Sequence, residues 1–89
     1  MQNLNIEILI PEFDEAVKQY YRAENGLNKI MIEWIHIIAK KTKCSSDKAL
    51  FIWKKYNPVI TINRYPDDKV SWEINRIEEV VNECLLQNE

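Results

Sequence analysis

The sequence predicts a single α+β domain, residues 1–89, with about four helices and a small antiparallel sheet. Four segments repeat apolar residues at helical spacing, and two later segments alternate apolar and polar residues on either side of a turn-forming cluster. The composition is 46% hydrophobic and 29% charged, with one Gly and three Pro, which is typical of a compact globule rather than a disordered chain. A chain of 89 residues needs nearly all its apolar side chains for its core.

The first element predicted is a strand. Residues 5–10 alternate between two faces, and Pro11 ends the run. We expect this strand to pair with a later hairpin and so complete a three-stranded sheet. A helix then begins near residue 12, where acidic side chains complement the helix dipole, and Asn25-Gly26 supplies a left-handed stop.

The next two elements are helices. Residues 27–42 form the most hydrophobic one, with an apolar stripe wide enough for contacts on several sides. Ser45 or Ser46 is a good N-cap for a third helix that reaches about residue 56. Pro58 ends it, because the residue before a proline avoids the helical region.

A β-hairpin and a last helix complete the prediction. Residues 59–65 and 70–74 alternate on either side of the turn-forming residues 66–69, and residues 75–86 have a helical apolar stripe. The hairpin side chains expected to face inward are Ile60, Ile62, Val70, Trp72 and Ile74. The predicted core residues are Trp34, Ile35, Ile38, Trp53, Trp72, Ile77 and Val81.

Charge is strongly segregated along the chain. Residues 40–66 hold seven basic side chains against one acid, Asp47, a balance of +6, whereas residues 1–39 carry −3 and residues 67–89 carry −5. The formal net charge of −2 therefore conceals a basic middle. Such segregation indicates an anionic partner, most economically nucleic acid, although pairing between the basic middle and the acidic flanks explains it equally well.

Several classes of function are disfavoured. The single histidine, His36, has no assignable second ligand or nucleophile, and neither cysteine has a ligand pair at metal-binding spacing. With Gly26 as the only glycine, a glycine-rich phosphate loop is excluded. We therefore predict no enzyme, no metal and no cofactor. The start of the chain has neither a signal peptide nor a membrane span, so we expect a cytoplasmic protein whose two cysteines are reduced thiols.

The strongest motif lies in residues 35–56, IHIIAKKTKCSSDKALFIWKKY. Ala39 falls where two helices would cross, residues 43–45 form a short connection, and Ala49 and Ile52 take buried positions in the second helix. This spacing resembles the helix-turn-helix motif, in which a small residue lets two helices cross closely. With the hairpin following, the order is similar to the winged variant of that family, over about half of the chain.

The resemblance implies DNA binding by the helix of residues 46–56, with backbone contacts from a wing that carries Asn63, Arg64 and Lys69. The chain departs from the family at Lys43, where glycine is usual, and a left-handed lysine there has a steric cost. The first helix of the pair is also longer than in the family. The candidate nucleic-acid-binding residues are Lys40, Lys41, Lys43, Ser46, Lys48, Phe51, Lys54, Lys55, Arg64 and Lys69.

Phe51 is the least ordinary member of this set. An aromatic ring on a lysine-rich helix face exposes apolar area, so we expect a base, a partner protein or a second copy of the chain to cover it, unless the hairpin or the N-terminal strand folds over it. The alternative function is accordingly a protein-binding inhibitor or adaptor that acts through Phe51 or through the acidic last helix. A homodimer is compatible with either function.

Overall fold

The computed structural model describes residues 6–87, and within them four α-helices and a two-stranded antiparallel sheet follow a short 3-10 helix. The elements in order are the 3-10 helix Ile6–Ile8, α1 (Ile10–Tyr20), α2 (Gly26–Thr42), α3 (Ser46–Tyr56), β1 (Ile60–Arg64), β2 (Val70–Ile74) and α4 (Ile77–Leu86). This architecture confirms the α+β class and the order of helices and hairpin.

The prediction of an N-terminal strand is wrong. Asn5 lies outside the described residues, and the rest of the segment is a 3-10 turn that leads directly into α1. Leu9, which alternation would place on the outward face, is fully buried, whereas Ile8 is 55% exposed. The sheet therefore has the two strands of the hairpin and no third strand within the described part of the chain.

Helical hydrogen bonding explains why this segment does not extend. The Phe13 N–H donates to the Leu9 carbonyl oxygen at 2.9 Å, so the chain is already turning before Pro11. Pro11 occupies the first turn of α1, where its missing N–H has no intrahelical partner to lose. The proline was expected to stop a strand, and it instead opens a helix.

The link between α1 and α2 also differs from the prediction. Helix α1 ends at Tyr20, and the left-handed residue is Asn25, with φ of 58°, directly before α2. Asparagine tolerates this conformation better than most residues. Gly26 is required for a different reason: a Cβ there would lie 2.1 Å from the Tyr20 carbonyl oxygen.

Three aromatic rings join α1, α2 and β2 at the centre of the core. The rings of Phe13 and Trp34 stack with centroids 4.4 Å apart, and Trp72 meets Trp34 edge to face at 4.9 Å. The Trp34 indole N–H donates to the Phe13 carbonyl oxygen at 3.1 Å, and the Trp72 indole N–H donates to an Asp14 carboxylate oxygen at 3.1 Å. Both polar atoms of the indoles are thus satisfied.

Most of the predicted core is confirmed. Trp72 is half-buried against the core rather than fully buried, as are the other inward-facing hairpin residues. Leu27 and Ile32, which belong to the predicted apolar stripe of the second helix, are instead exposed. The fully or nearly fully buried members of the predicted core are Trp34, Ile35, Ile38, Trp53, Ile77 and Val81.

The hairpin is tied to the end of α1. The Arg64 guanidinium donates to the Tyr21 carbonyl oxygen at 2.5 Å and lies over the Tyr21 ring, and Arg22 forms an ion pair with Asp68 in the hairpin turn. Helix α4 follows and packs against α2 and α3. This places the acidic last helix beside the basic third helix.

Candidate nucleic-acid interface

The connection between α2 and α3 consists of a left-handed residue followed by a serine N-cap. Lys43 adopts the left-handed conformation, with φ of 58°, and the Cys44 N–H donates to the Ala39 carbonyl oxygen at 3.0 Å. The Ser45 hydroxyl then accepts from the Lys48 N–H at 3.2 Å, so Ser45 rather than Ser46 is the N-cap of α3. A three-residue turn therefore reverses the chain between the two helices.

The left-handed conformation of Lys43 should lower the stability of the fold. We expect Lys43→Gly to stabilise the fold by about 0.5–1 kcal/mol, because glycine removes the Cβ clash of the left-handed conformation. Urea unfolding measures this change. Lys43→Ala is the matched control: it removes the same charge but keeps the Cβ, so it should give no gain. Equal unfolding midpoints for the two variants would show that the left-handed lysine is not strained.

Helix α3 separates into a buried and an exposed face. Ala49, Ile52 and Trp53 are buried against α2 and α4, and Phe51 and Lys54 point outward. Phe51 is 71% exposed, so neither the hairpin nor any other described segment folds over it. The predicted orientation of this helix is confirmed, and the ring remains on the surface.

Part of the basic middle is neutralised by the acidic flanks. Lys55 Nζ lies 2.9 Å from Glu83 Oε1 in α4, and Lys41 Nζ lies 3.7 Å from Glu12 Oε1 in α1. Lys48 Nζ donates to the side-chain oxygen of Gln87 at 3.4 Å. For Lys41 and Lys55, internal ion pairs account for the charge segregation without an external partner, whereas the neutral amide of Gln87 leaves the charge of Lys48 uncompensated.

Glu83 is the most engaged acidic residue of α4. Its Oε1 accepts hydrogen bonds from both Lys55 Nζ and the Tyr56 hydroxyl, each at 2.9 Å. These two bonds hold the pKa of Glu83 below its usual value of 4.5. The same contacts raise the pKa of Lys55 and of Tyr56, because the carboxylate favours the protonated form of each.

Glu83→Gln should remove a pH-dependent part of the stability. The pKa of Glu83 is lower in the folded chain than its usual 4.5, so its contribution is full above that pH and is lost as the pH falls through the folded value. We expect the wild type to be more stable than the variant at neutral pH, and this difference to disappear as the pH falls through the lowered pKa of the carboxylate. Urea midpoints over a series of pH values from neutral to acidic test this. The exposed Glu24→Gln change is the control, and a difference for Glu83→Gln that stays constant with pH would contradict the expectation.

Three lysines between residues 40 and 54 make no side-chain ion pair or hydrogen bond among the described residues. Within residues 6–87, no ion pair or hydrogen bond reaches the side chains of Lys40, Lys43 or Lys54. All three are exposed. We call them the open lysines. Ser46, also in the predicted set, is exposed at the start of α3, with its hydroxyl 3.4 Å from His36 Nδ1 on α2.

The hairpin cations are not brought to the open lysines by any described contact. Arg64 is bound to Tyr21, and Lys69 Nζ lies 3.6 Å from Asp67 Oδ2 within the turn itself. His36 is a residue that sequence reasoning left outside the site. The signal for it was present, since it lies one helical turn before Lys40 on the polar edge of α2.

The two cysteines come together, although they are 40 positions apart in the sequence. Both are free thiols. Burial raises the pKa of Cys84 to about 12, and the neighbouring Cys44 thiol adds to this rise. Cys84 is fully buried, so it is held in the thiol form and acts as a small apolar residue between α4 and the α2–α3 turn.

No group of three or more His, Cys, Asp or Glu side chains in residues 6–87 is arranged to hold a metal ion, and no helix there has the length and hydropathy needed to cross a membrane. Comparisons with protein-family models, with curated proteins and with solved structures gave no match. The functional proposal therefore depends on the geometry of the chain itself.

Proposed function

We propose that the chain is a small non-enzymatic nucleic-acid-binding domain, with DNA as the favoured target and the open lysines Lys40, Lys43 and Lys54 as its phosphate contacts. The observation that carries the proposal is the division of the basic middle. Lys41 and Lys55 have acidic partners within the chain, and the open lysines have none among the described residues. No described acidic side chain compensates their charge.

Helix dipoles do not remove this charge. Lys40 lies in the last turn of α2 and Lys54 in the last turn of α3, where each interacts favourably with the carboxyl end of the helix by about 0.3–1 kcal/mol. Such an interaction stabilises the lysine but leaves it cationic and exposed. Phosphates that approach this surface would release their counterions, which is the main sequence-independent source of affinity for nucleic acids.

The arrangement of the helices supports the same proposal. Helices α2 and α3 pack together with Ala39 and Ala49 both buried, and the link between them contains the left-handed Lys43, features that the resemblance to the helix-turn-helix family implies. In this proposal Lys54 of α3 and Lys40 and Lys43 at the end of α2, all exposed, contact the phosphates of one nucleic acid. Arg64 and Lys69 of the hairpin have partners within the chain, so they are not among the proposed phosphate contacts.

Fluorescence anisotropy tests the proposal directly. A labelled random-sequence DNA, supplied as a duplex and as a single strand, is titrated with the protein at about 50 mM salt, where phosphate contacts are strong. We expect saturable binding that heparin competes away and neutral dextran does not. Absence of binding to both forms of DNA at this salt concentration would overturn the proposal.

A protein-binding function is the second candidate, and the acidic face of α4 favours it. Glu78 and Glu79 are exposed in the first turn of this helix, and such carboxylates suit a basic partner surface. In this case Glu78→Gln combined with Glu79→Gln would abolish capture of the partner, and changes at the open lysines would leave it unchanged. The opposite pattern is expected for nucleic acid.

A further inference from the structure

Phe51 is the most exposed of the large hydrophobic residues in the described part of the chain, at 71%. It lies in the middle of α3 rather than at a frayed end. Exposure of an aromatic ring to water has a free-energy cost. This cost is recovered when another flat or apolar surface covers the ring. The ring is therefore a candidate contact surface for the same ligand that the open lysines attract.

Cations surround the ring along the helix. Lys48, Lys54 and Lys55 stand three residues before, three after and four after Phe51, the spacings that place side chains on neighbouring positions of a helix surface. Lys54 is open, and the other two lean toward α4. A ligand that combines negative charge with a flat face matches an exposed ring surrounded by lysines, and a nucleotide is such a ligand.

The ring borders a recess between α3 and α4. The recess has a volume of about 330 Å³ and is lined by Asp47, Lys48, Phe51, Ile52, Glu83 and Gln87. Its apolar wall comes from α3, and its polar rim offers carboxylate, ammonium and amide groups. These groups supply both hydrogen-bond donors and acceptors for the edge of a base.

A duplex fits this recess poorly. Bases in a duplex are stacked on one another and show only their edges, so the face of the Phe51 ring would have no flat partner. Helix α4 also stands beside the recess, and the carboxylates of Asp47 and Glu83 would repel a phosphate strand laid across it. An unpaired base, in contrast, brings an uncharged face to the ring while its phosphates remain near Lys54.

We propose that the recess binds an unpaired nucleobase, stacked on Phe51, from a single-stranded segment of nucleic acid whose phosphates contact the open lysines. This inference rests on the proposed function and names the form of its ligand. Base stacking on an aromatic ring tolerates any base identity, so little sequence preference is expected at this position.

The test compares Phe51→Ala, Phe51→Leu and Phe51→Trp with the wild type, by anisotropy with a labelled single-stranded 12-mer of DNA, the same RNA sequence, and a blunt DNA duplex. We expect the wild type to prefer the single strands. Phe51→Ala should weaken single-strand binding by about 5-fold to 150-fold, the effect of losing one stacked base, with little change for the duplex. Phe51→Leu keeps apolar area but has no flat ring, so it should lose nearly as much, and Phe51→Trp should restore binding.

Other outcomes would contradict the inference, and they distinguish failure of the stacking site from failure of the proposed function. Equal affinity of wild type and Phe51→Ala for single strands, with binding still dependent on the open lysines, would overturn the stacking site and leave the proposed function standing. Wild-type affinity in Phe51→Leu would show a simple apolar contact. No binding of either nucleic acid by the wild type would remove both proposals. Urea midpoints of the variants, expected to match the wild type because the ring is exposed, show that folding is intact.

Discussion

Replacement of the open lysines by glutamine, in the triple variant Lys40→Gln, Lys43→Gln and Lys54→Gln, is expected to weaken DNA binding by about 100-fold to 500-fold at 0.1 M salt. Each phosphate contact contributes about 0.7 of a decade of affinity at that salt for a single strand and about 0.9 for a duplex. The fold should be retained, because the three side chains are exposed and make no described contact. Anisotropy titration measures the loss, and circular dichroism checks the fold.

A second triple variant separates the effect of losing the open lysines from the effect of changing the net charge. Lys18, Lys41 and Lys69 have acidic partners in the structure, and their replacement by glutamine changes the net charge by the same amount. We expect this control to lose less than about 10-fold in affinity, since its lysines do not serve as the main phosphate contacts. Equal losses in the two triple variants would mean that binding follows overall charge, and the open lysines would then have no special role.

Trp34→Ala is expected to have the largest effect on stability. The side chain is fully buried, stacks on Phe13, meets Trp72 and donates its indole N–H to the Phe13 carbonyl oxygen. Truncation of a buried tryptophan costs about 3–5 kcal/mol. A domain of this size has a total stability of about 5–13 kcal/mol, so the variant should be marginally folded. The free energy of unfolding in urea gives the change.

Trp34→Phe separates the contribution of ring packing from that of the indole hydrogen bond. Phenylalanine keeps a ring against Phe13 and Trp72 but leaves the Phe13 carbonyl oxygen without its indole donor, which costs about 1–3 kcal/mol. We therefore expect a loss between those of the wild type and Trp34→Ala. A loss of under about 1 kcal/mol in Trp34→Ala would show that the three-ring cluster is not the centre of the core.

The fold was predictable wherever helical spacing was unambiguous. The bounds of α2 and α3 agree with the sequence prediction to within a residue, and the alternating segments formed the hairpin. The N-terminal segment failed because two periodicities overlap there. Its isoleucines alternate as in a strand, but Leu9, Phe13 and Val17 repeat at intervals of four and are the residues that the structure buries. A six-residue alternation cannot outweigh a stripe that continues through a whole helix.

The location of the candidate site was predictable from the sequence, but which of its cations are paired within the chain was not. Local spacing placed Phe51 and Lys54 on the outward face of α3, and the structure confirms their exposure. The pairing of Lys55 with Glu83 spans 28 positions, and that of Arg64 with Tyr21 spans 43. Contacts at such separations depend on how α4 and the hairpin pack, so no local pattern indicates which cations remain open.

The salt dependence of binding tests the central claim most directly. The logarithm of the association constant for labelled DNA is plotted against the logarithm of salt concentration for the wild type. Three phosphate contacts predict a slope of about −2 to −3, and use of all eight basic residues between Lys40 and Lys69 would give about −6 or steeper. A slope near the first range, which falls toward zero in the triple variant of the open lysines, is the result expected. A slope near zero in the wild type, or one of about −6, would contradict phosphate binding by these three lysines.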